Sequence, residues 1–288
     1  LAAGQSIPRP ESPRSYPGGY TEVRRVGVFS PVVKCDVESL YPAIMLSKRI
    51  APASDHLGVF LPALAILTER RIGAKRSEQA TEGPERARWR GIQSSFKVLI
   101  NSFYGYLGYR NAHFADFSAA ARVTALGRGM MKRMIETLEG AGCGLIQCDT
   151  DGIFFTPPFD PDADRDQLLG IVEAVEKSLP QYMDIAVEGL WPVMLSLKKK
   201  NYALLTGDGS VSITGGILRS SADERFVRKA LAAAAECILK NDLSGLHTYI
   251  SSLREDVSEG RLSFPDICFT ETIRMNGEEY REHVAGGG

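Results

Sequence analysis

The stretch "GLIQCDTDGIFFTP", residues 144–157, decides how the rest of the chain is read. Asp149 and Asp151 stand one residue apart, with Leu145 and Ile146 before them and Ile153, Phe154 and Phe155 after. Gly152 follows the second acid, and Gly144 and Pro157 close the ends. Apolar runs around a short polar tip read as strand, tight turn, strand. Alternation of side chains along a strand is expected to point both acids to one face. The hairpin is then an apolar mount for two negative charges, which repel unless a cation lies between them.

A third acid lies upstream. "VGVFSPVVKCDV", residues 26–37, reads as strand and carries Asp36 near its end. A single strand-end Asp commonly caps a turn. Three apolar-flanked acids converging from distant segments would instead suit Mg²⁺, which takes one or two carboxylates plus substrate phosphates. "SLYPAIMLSKR" follows at 39–49 with helical apolar spacing and Pro42 in its first turn. Two helices are expected over 61–80 and 85–107, broken by Gly83 and Pro84 in "ATEGPE". Further helices are expected over 118–138, 163–179, 223–240 and 243–258, with strands over 184–197, 200–206 and 211–214. Residues 1–20, rich in Pro, Gly and Ser, read as an irregular lead-in.

The two helices after residue 60 hold a basic constellation. Arg71 and Lys75 are four apart, as are Lys97 and Asn101, with Tyr104 three further on. In a helix each set shares a face. A solvated charged face accounts for Arg71 and Lys75 well enough. It accounts poorly for Lys97, because "FKVLINSFYGYLGY" is otherwise apolar and aromatic, where an unpaired Lys is costly. From Glu69 to Lys97 there are eight Lys/Arg against four Glu, a local excess of +4. A basic pocket facing an acidic, metal-holding site is what a nucleoside triphosphate needs.

Bulk composition narrows the class without naming it. The 288 residues are 44% hydrophobic and 24% charged, the balance of a globular chain with room for a substantial core. Lys+Arg 34 against Asp+Glu 35 leaves a net charge of −1, so any nucleic-acid binding must come from local patches. The five cysteines show no CxxC or His-linked metal spacing and read as buried thiols of a reducing compartment. No apolar run approaches the ~20 residues of a membrane helix, and no signal peptide is evident. The expected location is intracellular, in the cytoplasm or nucleoid, with no membrane partner. A first residue of Leu rather than Met leads us to expect a piece of a longer polypeptide.

At this point the residues match a family. "DVESLYP" at 36–42, "KVLINSFYG" at 97–105, "CDTDG" at 148–152 and "KKNY" at 199–202 resemble, in order, the core motifs of family B DNA polymerases. "YPGGYT" at 16–21 resembles the Gly-Gly stretch before that family's palm, and "RRIGAK" at 70–75 its first finger helix. The resemblance spans roughly residues 16–220 and implies an α+β, right-hand polymerase fold. The antiparallel palm sheet would carry a helical fingers insert and a helical thumb. The implied divisions are lead-in and first palm part over 1–60, fingers over 61–110, second palm part over 111–215 and thumb over 216–288.

The resemblance also implies roles. Asp36, Asp149 and Asp151 would be the catalytic acids, with Asp36, Asp151 and the carbonyl of Val37 holding two Mg²⁺ ions, for which Mn²⁺ can substitute. Ser39, Leu40, Tyr41, Arg71, Lys75, Lys97, Asn101 and Tyr104 would bind the incoming deoxynucleoside triphosphate. Tyr41 would exclude a 2′-hydroxyl, and Tyr104 would pack on the nascent base pair. Lys199, Lys200, Tyr202 and Arg219 would contact primer–template DNA. Implied partners are that DNA, deoxynucleoside triphosphates and accessory polymerase subunits, in replication or repair. Gln147, Cys148 and Gly152 depart from the family's usual Tyr, Gly and Ser around the hairpin acids. Asn201 stands where Arg is frequent, and Thr214 where Lys is frequent, so a weaker grip on DNA is expected. No Asp-Ile-Glu-type strand supplies a proofreading exonuclease, so none is expected here. The competing reading is a catalytically weak or silent polymerase-like subunit that keeps the fold and binds DNA or partner proteins.

Overall fold

The computed structural model describes residues 12, 14–180, 183–216, 224–268 and 275–286. The chain divides into two compact units. The first comprises Leu1–Val26 and Ser30–Leu190, the second Gly27–Phe29 and Trp191–Gly288.

The first unit is built on a five-stranded sheet. Its strands are β1 (Thr21–Val23), β3 (Val32–Val37), β4 (Gly144–Asp149), β5 (Gly152–Thr156) and β6 (Ile185–Trp191), in the spatial order β1-β4-β5-β3-β6. β5 runs antiparallel to both β4 and β3, so Gly152 lies opposite Asp149 on one side and Asp36 on the other. The hairpin of 144–156 is therefore at the middle of the sheet, where apolar Ile153, Phe154 and Phe155 are buried. Helices α1 (Leu40–Ser47), α4 (Phe117–Gly140) and α5 (Arg165–Lys177) supply most of the rest of the core. The apolar spacing of α4 brings Val123, Met131, Met134 and Leu138 onto one face, and all four are buried. Asp116 caps this helix by accepting from the Ala119 N–H at 2.7 Å.

Helices α2 (Phe60–Ala80) and α3 (Gly83–Leu107) form a long antiparallel pair, with Pro84 in the first turn of α3. Only Phe60, Leu64 and Ala74 of α2 and Ile100 and Leu107 of α3 are buried. Most of the pair is solvated on several faces, which suits a projecting insert rather than a core element.

In the second unit, strands β2 (Gly27–Phe29), β7 (Val193–Lys198), β8 (Asn201–Leu205) and β9 (Val211–Thr214) form an antiparallel sheet in the order β2-β7-β8-β9. Helix Arg225–Leu239 packs on β7 and β8, burying Ala235 and Leu239 against Leu195 and Ala203. Helices Leu243–Ser258, Phe264–Ile267 and Gly277–Ala285 follow.

Two expected strands turn out to be pairs. The run 26–37 breaks at Ser30–Pro31 into β2 and β3, which join different sheets. Proline supplies no N–H to a ladder, so continuous pairing through it is unavailable. The stretch 184–197 likewise divides at Pro192, between β6 and β7. Short β1 was not expected, since three residues directly after the Pro- and Gly-rich lead-in carry no strand period. Cys35, Cys143 and Cys148 are buried free thiols as expected, whereas Cys237 and Cys268 are half-buried. Among the described residues no helix is long and apolar enough to cross a membrane.

Candidate active site

The hairpin tip and the end of β3 meet at one cavity. β3 delivers Asp36, and the turn between β4 and β5 delivers Asp151. The two segments are joined where the Val37 N–H donates to the Asp151 carbonyl at 2.9 Å. The turn is made by Thr150 at φ 60°, whose N–H donates to the Tyr20 carbonyl at 2.7 Å. The cavity, of about 420 Å³, is lined by both acids, by Val37 to Pro42, and by Arg71, Lys97 and Asn101 from the α2–α3 pair. Thr150, Ala186 and Glu188 complete it. An acidic floor thus faces a basic wall.

Both acids are half-buried, and both titrate above the usual carboxylate range. For Asp36 the carboxyl is pushed up to about 6, first by burial and then by the charge of Asp151. For Asp151 burial is again the leading cause, opposed by Lys34 and reinforced by Asp149. Two oxygen-only ligand groups that repel one another in a shared cavity fit a hard divalent cation, whose charge relieves the repulsion. Among the described residues no cluster of three or more His, Cys, Asp or Glu side chains forms a metal cage. Two carboxylates in an open cavity would leave a bound cation free positions, rather than enclosing it in a cage.

Asp149 corrects the expectation that both hairpin acids share a face. Asp149 ends β4, whereas Asp151 belongs to the turn, so strand alternation does not relate them. Asp149 instead accepts from the hydroxyls of Thr150 at 3.2 Å and Thr21 at 3.4 Å, and it does not line the cavity. Gln147 and Cys148 are buried within β4, away from the cavity.

The nucleotide candidates mostly come together. Ser39 adopts φ 54° and starts α1, so the first-turn amides of Leu40 and Tyr41 lack intrahelical acceptors at the cavity wall. A helix N-terminus with open amides favours an anion. Arg71 donates from Nη1 to the Ser39 hydroxyl at 2.9 Å, while its buried Nε has no hydrogen-bond partner. Lys97 lines the cavity, but the burial argument for it fails. Lys97 is exposed and its neighbour Val98 is 67% exposed, so the apolar look of the segment did not mean a buried helix. Tyr41 lies in the wall with its ring centroid 4.3 Å from that of Tyr104. Tyr104 stands behind it, its hydroxyl 3.4 Å from that of Tyr16. Burial raises the hydroxyl pKa of both rings. Lys75 does not line the cavity and is ion-paired with Glu38.

Several site residues escaped sequence reasoning. Lys34 stands two before Asp36 on β3, hence on the same face. It ion-pairs with Glu188 and lies 5.3 Å from the centroid of the Phe154 ring. The alternation of "KCD" was the available signal. Gly19 and Glu38 gave none, because each is a single residue inside a motif read for its neighbours. Gly19 is pressed so close that a Cβ there would lie 2.6 Å from the Tyr41 hydroxyl. Arg128 of α4 holds this segment by donating to the carbonyls of Pro17 at 2.9 Å and Gly18 at 2.7 Å.

The DNA-binding candidates lie in the second unit. Lys199 and Lys200 form the exposed two-residue turn between β7 and β8, and Tyr202 follows on β8. Arg219 lies outside the described residues. Asn201, read as a missing phosphate ligand, is 7% exposed and donates to the Lys199 carbonyl at 2.8 Å. It shapes the turn rather than facing solvent.

Comparison with known proteins follows the same lines. The family model described as DNA polymerase family B matches residues 53–285. The chain is 29% identical over 252 residues to "DNA polymerase 1" of Pyrococcus abyssi, covering 79% of this chain and 32% of that protein. It is 28% identical to a DNA polymerase of Pyrococcus glycovorans, covering 94% of this chain and 39% of that one. The structure of the family B DNA polymerase from Pyrobaculum calidifontis matches with a TM-score of 0.72 at 22% identity, covering 98% of this chain and 40% of that chain. The chain therefore spans about a third to two fifths of the length of these relatives.

Proposed function

This chain belongs to DNA polymerase family B, and from that membership we propose that it is the core of a DNA-directed DNA polymerase that adds deoxynucleotides to a primer 3′ end. The observation that carries the reading is the single cavity in which Asp36 and Asp151 face Arg71, Lys97 and Asn101. We assign residues 1–60 and 111–215 to the palm with its lead-in, 61–110 to the fingers and 216–288 to the thumb.

Asp36, Asp151 and the Val37 carbonyl would hold a pair of divalent cations, Mg²⁺ by the hardness of the ligands. When bound, such a pair lowers the pKa of an attacking hydroxyl and neutralises a triphosphate and its leaving pyrophosphate. Asp149 acts at one remove by fixing the turn through Thr150 and Thr21. The open amides of Leu40 and Tyr41, with the side chains of Arg71, Lys97 and Asn101, bind and orient the phosphates and stabilise charge that develops on them. Lys75 can join them once it leaves Glu38. Tyr41, held from behind by Tyr104 and from the side by Gly19, forms a rigid floor that a 2′-hydroxyl would strike. Tyr104 supports that floor and offers its exposed edge to the nascent pair. Lys199, Lys200 and Tyr202 would meet primer–template phosphates, contacts that position DNA without reading its sequence.

The test is primer extension with Mg²⁺ and four deoxynucleotides. Wild-type extension is expected, and Asp36→Asn or Asp151→Asn should reduce it by a factor of about 10³ or more while circular dichroism stays native, since each removes a cation-binding charge. Asp149→Asn should cost less. Full activity of Asp151→Asn sinks the metal assignment, and an inactive wild type that still binds duplex favours a silent DNA-binding subunit.

A further inference from the structure

Glu38 occupies an unexpected position. Its carboxylate pairs with Lys75 and Arg71, two of the cations assigned to grip the phosphates. Lys75 Nζ donates to Glu38 Oε1, and Arg71 Nη2 lies 3.7 Å from Glu38 Oε2. Arg71 is anchored beside it by the 2.9 Å bond to the Ser39 hydroxyl. The pairing is partly shielded, with the side chains of Arg71, Glu38 and Lys75 13%, 25% and 42% exposed. Glu38 lines the same cavity as Asp36 and Asp151. Its backbone is fixed as well, because its N–H donates to the Asp184 carbonyl at 3.0 Å.

A carboxylate and a phosphate ask the same thing of Arg and Lys: negative oxygens at hydrogen-bond distance. Lys75 cannot serve both at once without bringing two anions into contact. The cavity already holds the carboxylates of Asp36, Asp151 and Glu188, so a fourth negative group beside a polyphosphate would be repelled.

Resting on the polymerase reading above, we propose that Glu38 is a built-in stand-in for the nucleotide's phosphates, holding Lys75 and Arg71 until a triphosphate displaces it. The side chain thereby ties α2 to the start of α1 in the nucleotide-free enzyme and sets a threshold for nucleotide entry. The unpartnered Arg71 Nε shows that Glu38 satisfies the cation only in part. A larger anion with more acceptor oxygens can therefore outcompete it.

The experiment is calorimetric titration of the full chain, without primer, by Mg²⁺·dATP and separately by inorganic tripolyphosphate. Glu38→Gln keeps the shape and removes the competing charge. It should bind both ligands roughly three- to tenfold tighter than wild type, the range of a partly shielded ion pair. The gain should be equal for the two, because competition is for phosphate alone. Glu38→Asp, which keeps the charge on a shorter arm, should fall between. Arg71→Ala should weaken binding in both backgrounds. Equal or weaker binding by Glu38→Gln, with Arg71→Ala still harmful, overturns the proposal and leaves the phosphate grip intact. Absence of saturable binding by every form removes the grip itself and the proposal with it.

Discussion

Gly152 occupies a position where a side chain would do damage. It pairs with Asp36 across β3–β5, and a Cβ there would lie 2.8 Å from Lys34 Cε and 2.9 Å from Asp36 Oδ1. The departure from the family's usual Ser is thus matched by a Lys two residues before Asp36. Gly152→Ala should push the Lys34 and Asp36 side chains aside, lowering extension with a modest loss of stability. Adding Lys34→Ala should recover part of both losses, since a flexible neighbour is then gone. Thermal denaturation of the four forms checks this, and simple additivity of the two substitutions would count against it. Tyr41 gives the second prediction at this scale. Tyr41→Ala should raise ribonucleotide incorporation by about tenfold or more, because discrimination by contact rests on a clash rather than a bond. An unchanged ribose preference would leave Tyr41 as packing for Tyr104. Asp36, Asp151, Arg71, Lys97 and Asn101, singled out in the sequence, line one cavity, whereas Lys34 was passed over although it alternates with Asp36. Asn201 and Asp149 were misread because burial and turn geometry, not spacing, decide where their side chains go.

The long helices and the central hairpin were readable as elements because each carries a sustained period and a marked end. The α2–α3 break at Gly83–Pro84 and the helix Leu243–Ser258 fall where capping and breaker residues put them. Elements defined by partners rather than by period were not readable. β1 is three residues long and exists because its pairing to β4 joins Thr21 to Asp149. The segment before it, 16–20, has no regular structure and does not line the cavity, yet it backs two residues that do. Its carbonyls are held by Arg128, and Gly19 abuts Tyr41 and Thr150. A Cβ on residue 19 would stand 2.9 Å from Thr150 Cγ2 as well as against the Tyr41 hydroxyl. Gly19→Ala should therefore shift the floor of the cavity and lower extension severalfold, with ribose discrimination changed in step. The readout is the ratio of ribonucleotide to deoxynucleotide incorporation. An unaltered ratio with normal activity would mean the segment yields at no cost, and that Tyr41 is held by Tyr104 alone.

Across the whole molecule, a net charge of −1 means that the proposed DNA binding would rest on local groups, such as the exposed Lys199–Lys200 turn. Lys199→Ala with Lys200→Ala should weaken duplex binding on unrelated sequences alike and reduce the salt slope by about 0.9 for each phosphate no longer neutralised. Fluorescence anisotropy at several salt concentrations gives that slope, and an unchanged slope would show that the turn faces away from DNA. Replacing buried Asn201 by Arg should unsettle the turn rather than strengthen the grip. The division of the chain also has a consequence in time. Strand β2 belongs to the second unit, and its Val28 pairs with Leu195, 167 residues later. At about 5–20 residues per second on the ribosome, roughly 8 to 33 s pass between the synthesis of the two partners. During that interval β1, β3, β4 and β5 can pair, with β6 joining them only at its end, while Gly27–Phe29 remains an unclaimed strand looped out between β1 and β3. The second unit cannot close before the first has largely been made, so synthesis order imposes a folding order that refolding from denaturant need not follow.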